Sequence, residues 1–171
     1  RETREHFSNA PRRSVWTVYL FFLTDVAVIV GGVIEHHIIQ EVNPRLFLLG
    51  ILMVVGKVAL KRWSMNTLGE HYNVHIVIGE SHKVIKSGPY KHVRHPAYLA
   101  RLLSMIGIPL MLNAFLVLLT VATLDLIFIL VRIQLEEREL LGKLGHEYAS
   151  YMKRTWAIVP FRGLFVKSRF D

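Results

Sequence analysis

Two polar segments hold the side chains that could bind a charged ligand or carry out a group transfer. The first, at residues 87–98, reads SGPYKHVRHPAY and combines turn formers, aromatic rings, histidines and an arginine. The second begins at Arg132, which lies one helical turn before Glu136 and on the same face. Polar groups beside long apolar runs are costly unless they are bound. We therefore expect the chemistry of this chain to lie between these two segments.

Long apolar runs surround both segments and indicate an integral membrane protein. Hydrophobic residues make up 52% of the chain and are concentrated in blocks, with no amphipathic rhythm. We predict an all-α membrane protein with about four transmembrane helices, since about 20 apolar residues cross a bilayer core. The predicted spans are residues 15–34, 45–63, 97–112 and 115–132. The first run lacks the cleavage pattern of a secretory signal.

The apolar region at residues 102–131 is too long for one upright span, since a single helix would extend for about 45 Å. Pro109 and Asn113 near its middle predict two helices joined by a tight turn, a C-terminal helical hairpin. One long tilted helix is the alternative. Two short β-segments, residues 75–78 and 83–85, predict a small β-hairpin outside the apolar runs.

The basic residues predict which side of the membrane holds the polar segments. The formal net charge of +8 would suit nucleic acid in a soluble protein, but here the basic residues flank apolar runs, so we predict no nucleic-acid partner. They lie on one side of the predicted spans, against only Arg45 in the loop after the first. The positive-inside rule then places both termini and segments 64–96 and 132–161 in the cytoplasm. We predict one domain with a small cytoplasmic cofactor-binding region.

Cysteine and histidine content limit the chemistry further. The absence of cysteine excludes disulfides, thiolate catalysis and thiol ligands for metals. The nine histidines have irregular spacing and lie apart from the carboxylates, so we predict no metal site.

The order of the motifs resembles that of the isoprenylcysteine carboxyl methyltransferases and their prokaryotic relatives. The pattern is a His-Lys-aliphatic stretch, Gly-x-Tyr, Arg-His-Pro-x-Tyr, Arg-x-x-x-Glu-Glu and Gly-x-Glu-Tyr-x-x-Tyr. The matching residues are His82, Lys83, Val84, Gly88, Tyr90, Arg94, His95, Pro96, Tyr98, Arg132, Glu136, Glu137, Gly145, Glu147, Tyr148 and Tyr151. The resemblance implies a multi-pass membrane enzyme that uses S-adenosylmethionine, in a prokaryotic plasma membrane.

A cofactor site split between the two polar segments follows from this resemblance. Glu136 or Glu137 would meet the ammonium or the ribose hydroxyls of the cofactor. Arg94 or His95 would meet its carboxylate. Tyr90 or Tyr98 would pack near adenine. Which pairing holds stays open. The expected cofactor-binding residues are His82, Gly88, Tyr90, Arg94, His95, Pro96, Tyr98, Glu136, Glu137, Tyr148 and Tyr151.

Arg132 and Glu136 are the expected catalytic residues. The planar guanidinium of Arg132 can orient an acceptor carboxylate through two charge-assisted hydrogen bonds. Such an acceptor is already anionic near neutral pH and needs no strong base. We expect methyl transfer to a lipophilic acceptor, with carboxyl O-methylation of an isoprenylcysteine-like substrate favoured. A phospholipid or lipid-amine N-methyltransferase and a non-enzymatic membrane scaffold are the alternatives, and a sterol-reductase fold would need more spans.

Each of these residues also has an ordinary structural explanation. Arg94, Lys91 and Arg132 could be basic anchors at the ends of spans. A solvated helix face is the alternative for Glu136, Glu137 and Glu139, which would pair with Arg132, Arg138 and Lys143. A packing stripe is the alternative for Tyr148 and Tyr151. Among the charges inside apolar runs, Lys57 and Arg101 are expected to extend to the interface, while Asp25 and Asp125 have no evident partner.

Overall fold

The computed structural model describes residues 15–69 and 84–158, and four α-helices carry the fold of this part of the chain. The helices are α1 (Val15–Ile39), α2 (Pro44–Leu68), α3 (Pro96–Met111) and α4 (Phe115–Arg154). A 3-10 turn, Gly88–Lys91, precedes α3.

The predicted β-hairpin lies almost entirely outside the described residues, and so does His82. Val84 and Ile85, which are described, are not in a strand. An isolated parallel β-bridge joins Val93 and Trp156, and the described residues form no longer strand.

Two of the described helices are long and apolar enough to cross a membrane, Trp16–Ile39 and Phe115–Arg154, and α3 is a shorter apolar helix. Helix α4 has 40 residues with a break at Gly145, so its part before the break is about 45 Å long, which exceeds the roughly 30 Å of a hydrocarbon core. The apolar run of α4 ends at Val131, and the polar part that begins at Arg132 extends beyond it. A total of four transmembrane spans stays a prediction.

Glycines allow α2 and α3 to pack closely. A Cβ atom on Gly50 would lie 2.5 Å from the carbonyl oxygen of Gly107, and one on Gly107 would lie 2.9 Å from the carbonyl oxygen of Gly50. Facing glycines let two backbones approach in a way that larger side chains prevent. Near the end of α2, a Cβ on Gly88 would lie 2.5 Å from Oγ1 of Thr67. The 3-10 turn therefore rests directly against α2.

The chain reverses direction between α3 and α4, so the alternative of one long helix is wrong. Asn113 in the turn has a φ of 54°, a left-handed conformation that asparagine tolerates better than most residues. Glu35 of α1 accepts hydrogen bonds from the backbone N–H groups of Leu116 and Val117, each at 2.9 Å. These N–H groups have no partner within their own helix, and Glu35 satisfies them.

Three of the charges inside the apolar runs, Arg101, Asp25 and Asp125, are paired with one another. Nη2 of Arg101 donates to Oδ1 of Asp125 at 2.7 Å, and Nη1 lies 3.2 Å from Oδ1 of Asp25. Thr24 donates to Oδ1 of Asp125 at 2.7 Å. The expectation that Arg101 extends to the interface is wrong, because a fully buried carboxylate on α4 holds its guanidinium between the helices.

Candidate functional site

Arg94, His95 and Glu137 form a buried ionic cluster between the loop before α3 and the polar part of α4. Nε of Arg94 donates to Oε1 of Glu137 at 2.8 Å, and Nε2 of His95 lies 3.1 Å from the same oxygen. The side chains of Arg94 and Glu137 are 0% and 3% exposed. Burial alone would raise the pKa of Glu137, but hydrogen bonding to His95 and the charges of His95 and Arg94 outweigh it and hold the pKa below its ordinary value.

Arg94 also ties the end of α4 to the loop before α3. Its Nη1 donates to the carbonyl oxygens of Met152 and Thr155. Beside these bonds, the backbone N–H of Arg94 donates to the carbonyl of Trp156 at 2.7 Å. Nη2 of Arg94 is buried and has no hydrogen-bond partner among the described residues. The guanidinium of Arg94 therefore joins the end of α4 to the loop before α3, and its Nη2 can still donate a hydrogen bond to a ligand.

Tyr98, Arg132 and Glu136 form a second hydrogen-bonded group, next to the first. The hydroxyl of Tyr98 donates to Oε2 of Glu136 at 2.9 Å and accepts from Nε of Arg132 at 3.2 Å. Nδ1 of His95 lies 3.8 Å from Oε2 of Glu136, which links the two groups. The side chain of Glu136 is 31% exposed, whereas Arg132 is buried. Glu136 is thus the carboxylate that a ligand can reach.

The tyrosines at the end of α4 pack against the 3-10 turn. Helix α4 breaks at Gly145, whose φ of 53° and ψ of −128° are open essentially only to glycine. The rings of Tyr148 and Tyr151 lie 5.9 Å apart, and the hydroxyl of Tyr151 donates to the carbonyl of Tyr90 at 2.5 Å. Burial raises the pKa of Tyr151 to about 12, so its hydroxyl stays protonated. Their burial fits the alternative of a packing stripe.

A cavity of about 230 Å³ lies next to these tyrosines. It is smaller than the roughly 300–1,000 Å³ of typical ligand pockets. It is lined by Lys86, Lys91, Ser150, Tyr151, Arg154 and Thr155. Tyr151 is the one expected cofactor-binding residue among them, and basic side chains dominate the rest.

The structure brings most of the predicted residues of the two polar segments together. Those whose side chains meet are Arg94, His95, Tyr98, Arg132, Glu136 and Glu137. Tyr90, Tyr148 and Tyr151 form the adjoining packed group, while Gly88 and Pro96 shape the backbone before and at the start of α3.

Two of the ordinary explanations do not hold. Glu137 is buried against Arg94 and His95, so it is not part of a solvated helix face. Arg94 and Arg132 are buried as well, whereas basic anchors extend into the lipid headgroups, so the anchor explanation is wrong for these two residues.

Helix α1 contributes residues that the motifs do not include. Nη1 of Arg132 donates to Oγ1 of Thr17, and the ring of Phe21 lies 6.2 Å from that of Tyr98. The sequence feature that could have indicated this role is the spacing of polar residues in an apolar helix. Thr24 and Asp25 lie seven and eight positions after Thr17, which places all three on one face of the helix.

Together, the fold of the described residues and the site define a helical integral membrane protein whose polar site lies where helices leave their apolar runs. The family model of the isoprenylcysteine carboxyl methyltransferase (ICMT) family matches residues 48–142, more than half of the chain. The chain belongs to this family. Helix α1 lies outside the matched segment.

Individual relatives and one solved structure agree with this assignment. The protein-S-isoprenylcysteine O-methyltransferase of Xenopus laevis is 33% identical over 119 residues, covering 68% of this chain and 41% of that protein. The methanethiol S-methyltransferase of Crocosphaera subtropica is 40% identical over 74 residues, covering 43% of this chain and 28% of that protein. The structure of a eukaryotic intramembrane Ras methyltransferase, ICMT, matches with a TM-score of 0.70 at 23% identity, over 84% of this chain and 53% of that one. This chain thus spans less than half the length of either relative.

Proposed function

We propose that this protein transfers a methyl group from S-adenosylmethionine to a lipophilic acceptor at the cytoplasmic face of the membrane. Carboxyl O-methylation of an isoprenylcysteine-like substrate is the favoured reaction. The observation that supports it most is the convergence of the two polar segments in one place, through Arg94, Glu137, Tyr98 and Arg132. Membership of a methyltransferase family supports the same reaction class.

The residues of the site fit S-adenosylmethionine. Nη2 of Arg94 is a buried donor that lacks an acceptor among the described residues, and a carboxylate would satisfy it. The partly exposed carboxylate of Glu136 can accept from an ammonium or from ribose hydroxyls. Glu137 is already bound by Arg94 and His95, so its role is to hold those two side chains in place. When bound, the cofactor supplies a methyl group activated by a sulfonium.

Arg132 is the proposed residue for the acceptor. It lies where the apolar run of α4 ends, so an acceptor could keep its hydrocarbon part in the membrane and bring its polar head to the guanidinium. A carboxylate head is anionic near neutral pH, so positioning and exclusion of water would supply most of the rate. The positive-inside distribution of basic residues supports a cytoplasmic location.

Two other acceptors have support. A lipid amine would need a base to remove its proton, and Glu136 is the carboxylate placed to accept it. A small thiol is favoured by the similarity to a methanethiol S-methyltransferase. Both would use the same cofactor site, so the acceptor alone distinguishes them from the favoured reaction.

The test uses purified protein in detergent, titrated with S-adenosylmethionine by calorimetry. The protein is then assayed for labelled methyl transfer to N-acetyl-S-farnesylcysteine, phosphatidylethanolamine and methanethiol. Saturable cofactor binding with transfer to the farnesylcysteine is expected. Transfer only to the amine or only to the thiol would replace the favoured acceptor, and no saturable cofactor binding would leave a non-enzymatic scaffold.

A further inference from the structure

One face of α1 is turned into the helix bundle. Thr17, Phe21, Thr24, Asp25 and Val28 follow one another at intervals of three, four or one residue, which places them on the same side of the helix. Thr17, Thr24 and Val28 are at most 5% exposed. Residues on the opposite face, such as Tyr19 at 70% and Phe22 at 68%, are open to the surroundings. Two threonines therefore face inward from an apolar helix, and Asp25 lies at the edge of this face with its side chain 47% exposed.

The first polar contact of this face is with the proposed acceptor-binding arginine. Thr17 is 1% exposed, and its Oγ1 accepts from Nη1 of Arg132. On the other edge of the same guanidinium, Nε donates to the hydroxyl of Tyr98 at 3.2 Å. A guanidinium is a rigid planar fork, so partners on two of its nitrogens fix the direction of the whole group. One of those partners comes from α1.

The remaining contacts of this face fix α1 against α3 and α4. Nη2 of Arg101 donates to Oγ1 of Thr24 at 2.8 Å and to the carbonyl oxygen of Phe21 at 2.8 Å. The guanidinium carbon of Arg101 lies 4.2 Å from the centroid of the Phe21 ring. Asp125, which binds both Arg101 and Thr24, lies seven residues before Arg132 on α4. The rotation of α1 that turns Thr24 toward Asp125 also turns Thr17 toward Arg132.

We propose that α1 forms a third wall of the site and that Thr17 is a positioning residue, which orients the guanidinium of Arg132 toward the acceptor. This inference rests on the proposed role of Arg132 in acceptor binding. It assigns a part in the site to a helix that the matched family segment, residues 48–142, does not include. Cofactor binding, which depends on the Arg94 and Glu136 region, is independent of the Thr17 hydroxyl.

Thr17→Val tests the proposal, because valine keeps the branched shape of threonine and removes its hydroxyl. We expect kcat/KM for N-acetyl-S-farnesylcysteine to fall about tenfold, since a hydrogen bond to a charged group is lost. The Kd for S-adenosylmethionine should not change, and Thr17→Ser should restore transfer. The matched control is Thr120→Val on α4, whose exposed hydroxyl donates only to the carbonyl of Leu116 in its own helix. A kcat/KM of Thr17→Val within twofold of the wild-type value would overturn the proposal.

A second readout separates this proposal from the proposed function. The melting midpoints of Thr17→Val, Arg132→Ala and the double variant are compared by thermal unfolding in the same detergent. Residues in contact lose stability non-additively, so the double variant should melt above the midpoint that additive losses predict. If the wild type binds no S-adenosylmethionine, the proposed function fails. The stability cycle alone then tests whether Thr17 and Arg132 interact. Additive losses would overturn the positioning role.

Discussion

The buried pair of Arg94 and Glu137 should contribute far more to stability than an exposed pair of the same geometry. Arg94→Ala removes the bond to Glu137 at 2.8 Å and leaves a carboxylate that is 3% exposed with His95 as its remaining partner. Breaking a buried pair by removing one partner costs about 3–5 kcal/mol. At about 2–4 °C per kcal/mol for a chain of this size, the melting midpoint should fall by about 6–20 °C.

The matched control is the exposed pair of Lys86 and Glu147. Their charged atoms lie 3.1 Å apart, and the side chains are 51% and 53% exposed. Lys86→Ala should cost at most about 1 kcal/mol, because water screens such pairs. Both variants are melted in one detergent and followed by far-ultraviolet circular dichroism. Equal shifts for Arg94→Ala and Lys86→Ala would refute the reasoning that burial makes the first pair stabilising.

Three further predictions follow from single contacts. Arg132→Ala should keep the Kd for S-adenosylmethionine and lose methyl transfer, and Arg132→Lys should recover little of it, since an ammonium lacks the planar fork; wild-type transfer by either variant would contradict this. Because the pKa of Glu137 lies below its ordinary 4.5, its pairing stabilises the fold fully above about pH 4.5 and is lost as the pH falls through the lowered value. Glu137→Gln should therefore show a smaller loss of melting midpoint than the wild type between pH 7 and pH 3, and equal losses would count against it. Gly50→Ala should destabilise the fold by about 1–3 kcal/mol through overpacking. Gly56→Ala is the control and should cost less, because a Cβ on Gly56 would meet its nearest neighbour at 3.7 Å. Equal losses of melting midpoint for the two variants in thermal unfolding would contradict the close packing of α2 and α3.

The helices were largely predictable from the sequence because their apolar runs are long and their breaks have local causes. Asn43 accepts from the backbone N–H of Arg45 at the start of α2, as expected for a helix cap before a proline. The reversal between α3 and α4 follows from Asn113, near the predicted turn. The end of α4 was harder to place, since its polar part continues for 23 residues from Arg132 to Arg154, with a break at Gly145.

The site was predictable only as far as its motifs extend. Their order predicted that Arg94, Glu137 and Arg132 lie close together, which the structure shows. Which partner each side chain has could not be predicted, because the partners belong to different helices and depend on their rotation. The pairing of Arg101 with Asp125, and the contact between Thr17 and Arg132, arise only from packing in three dimensions.

A titration of the purified protein with S-adenosylmethionine, beside Glu136→Gln and Glu139→Gln variants, tests the split cofactor site most directly. Glu136 lies in the site and accepts from Tyr98, whereas Glu139 lies three residues further along α4. We predict saturable binding of one cofactor per chain by the wild type and by Glu139→Gln, and at least about tenfold weaker binding by Glu136→Gln, since a charged acceptor is lost. No saturable binding by the wild type, or equal affinity in all three proteins, would contradict the proposed site.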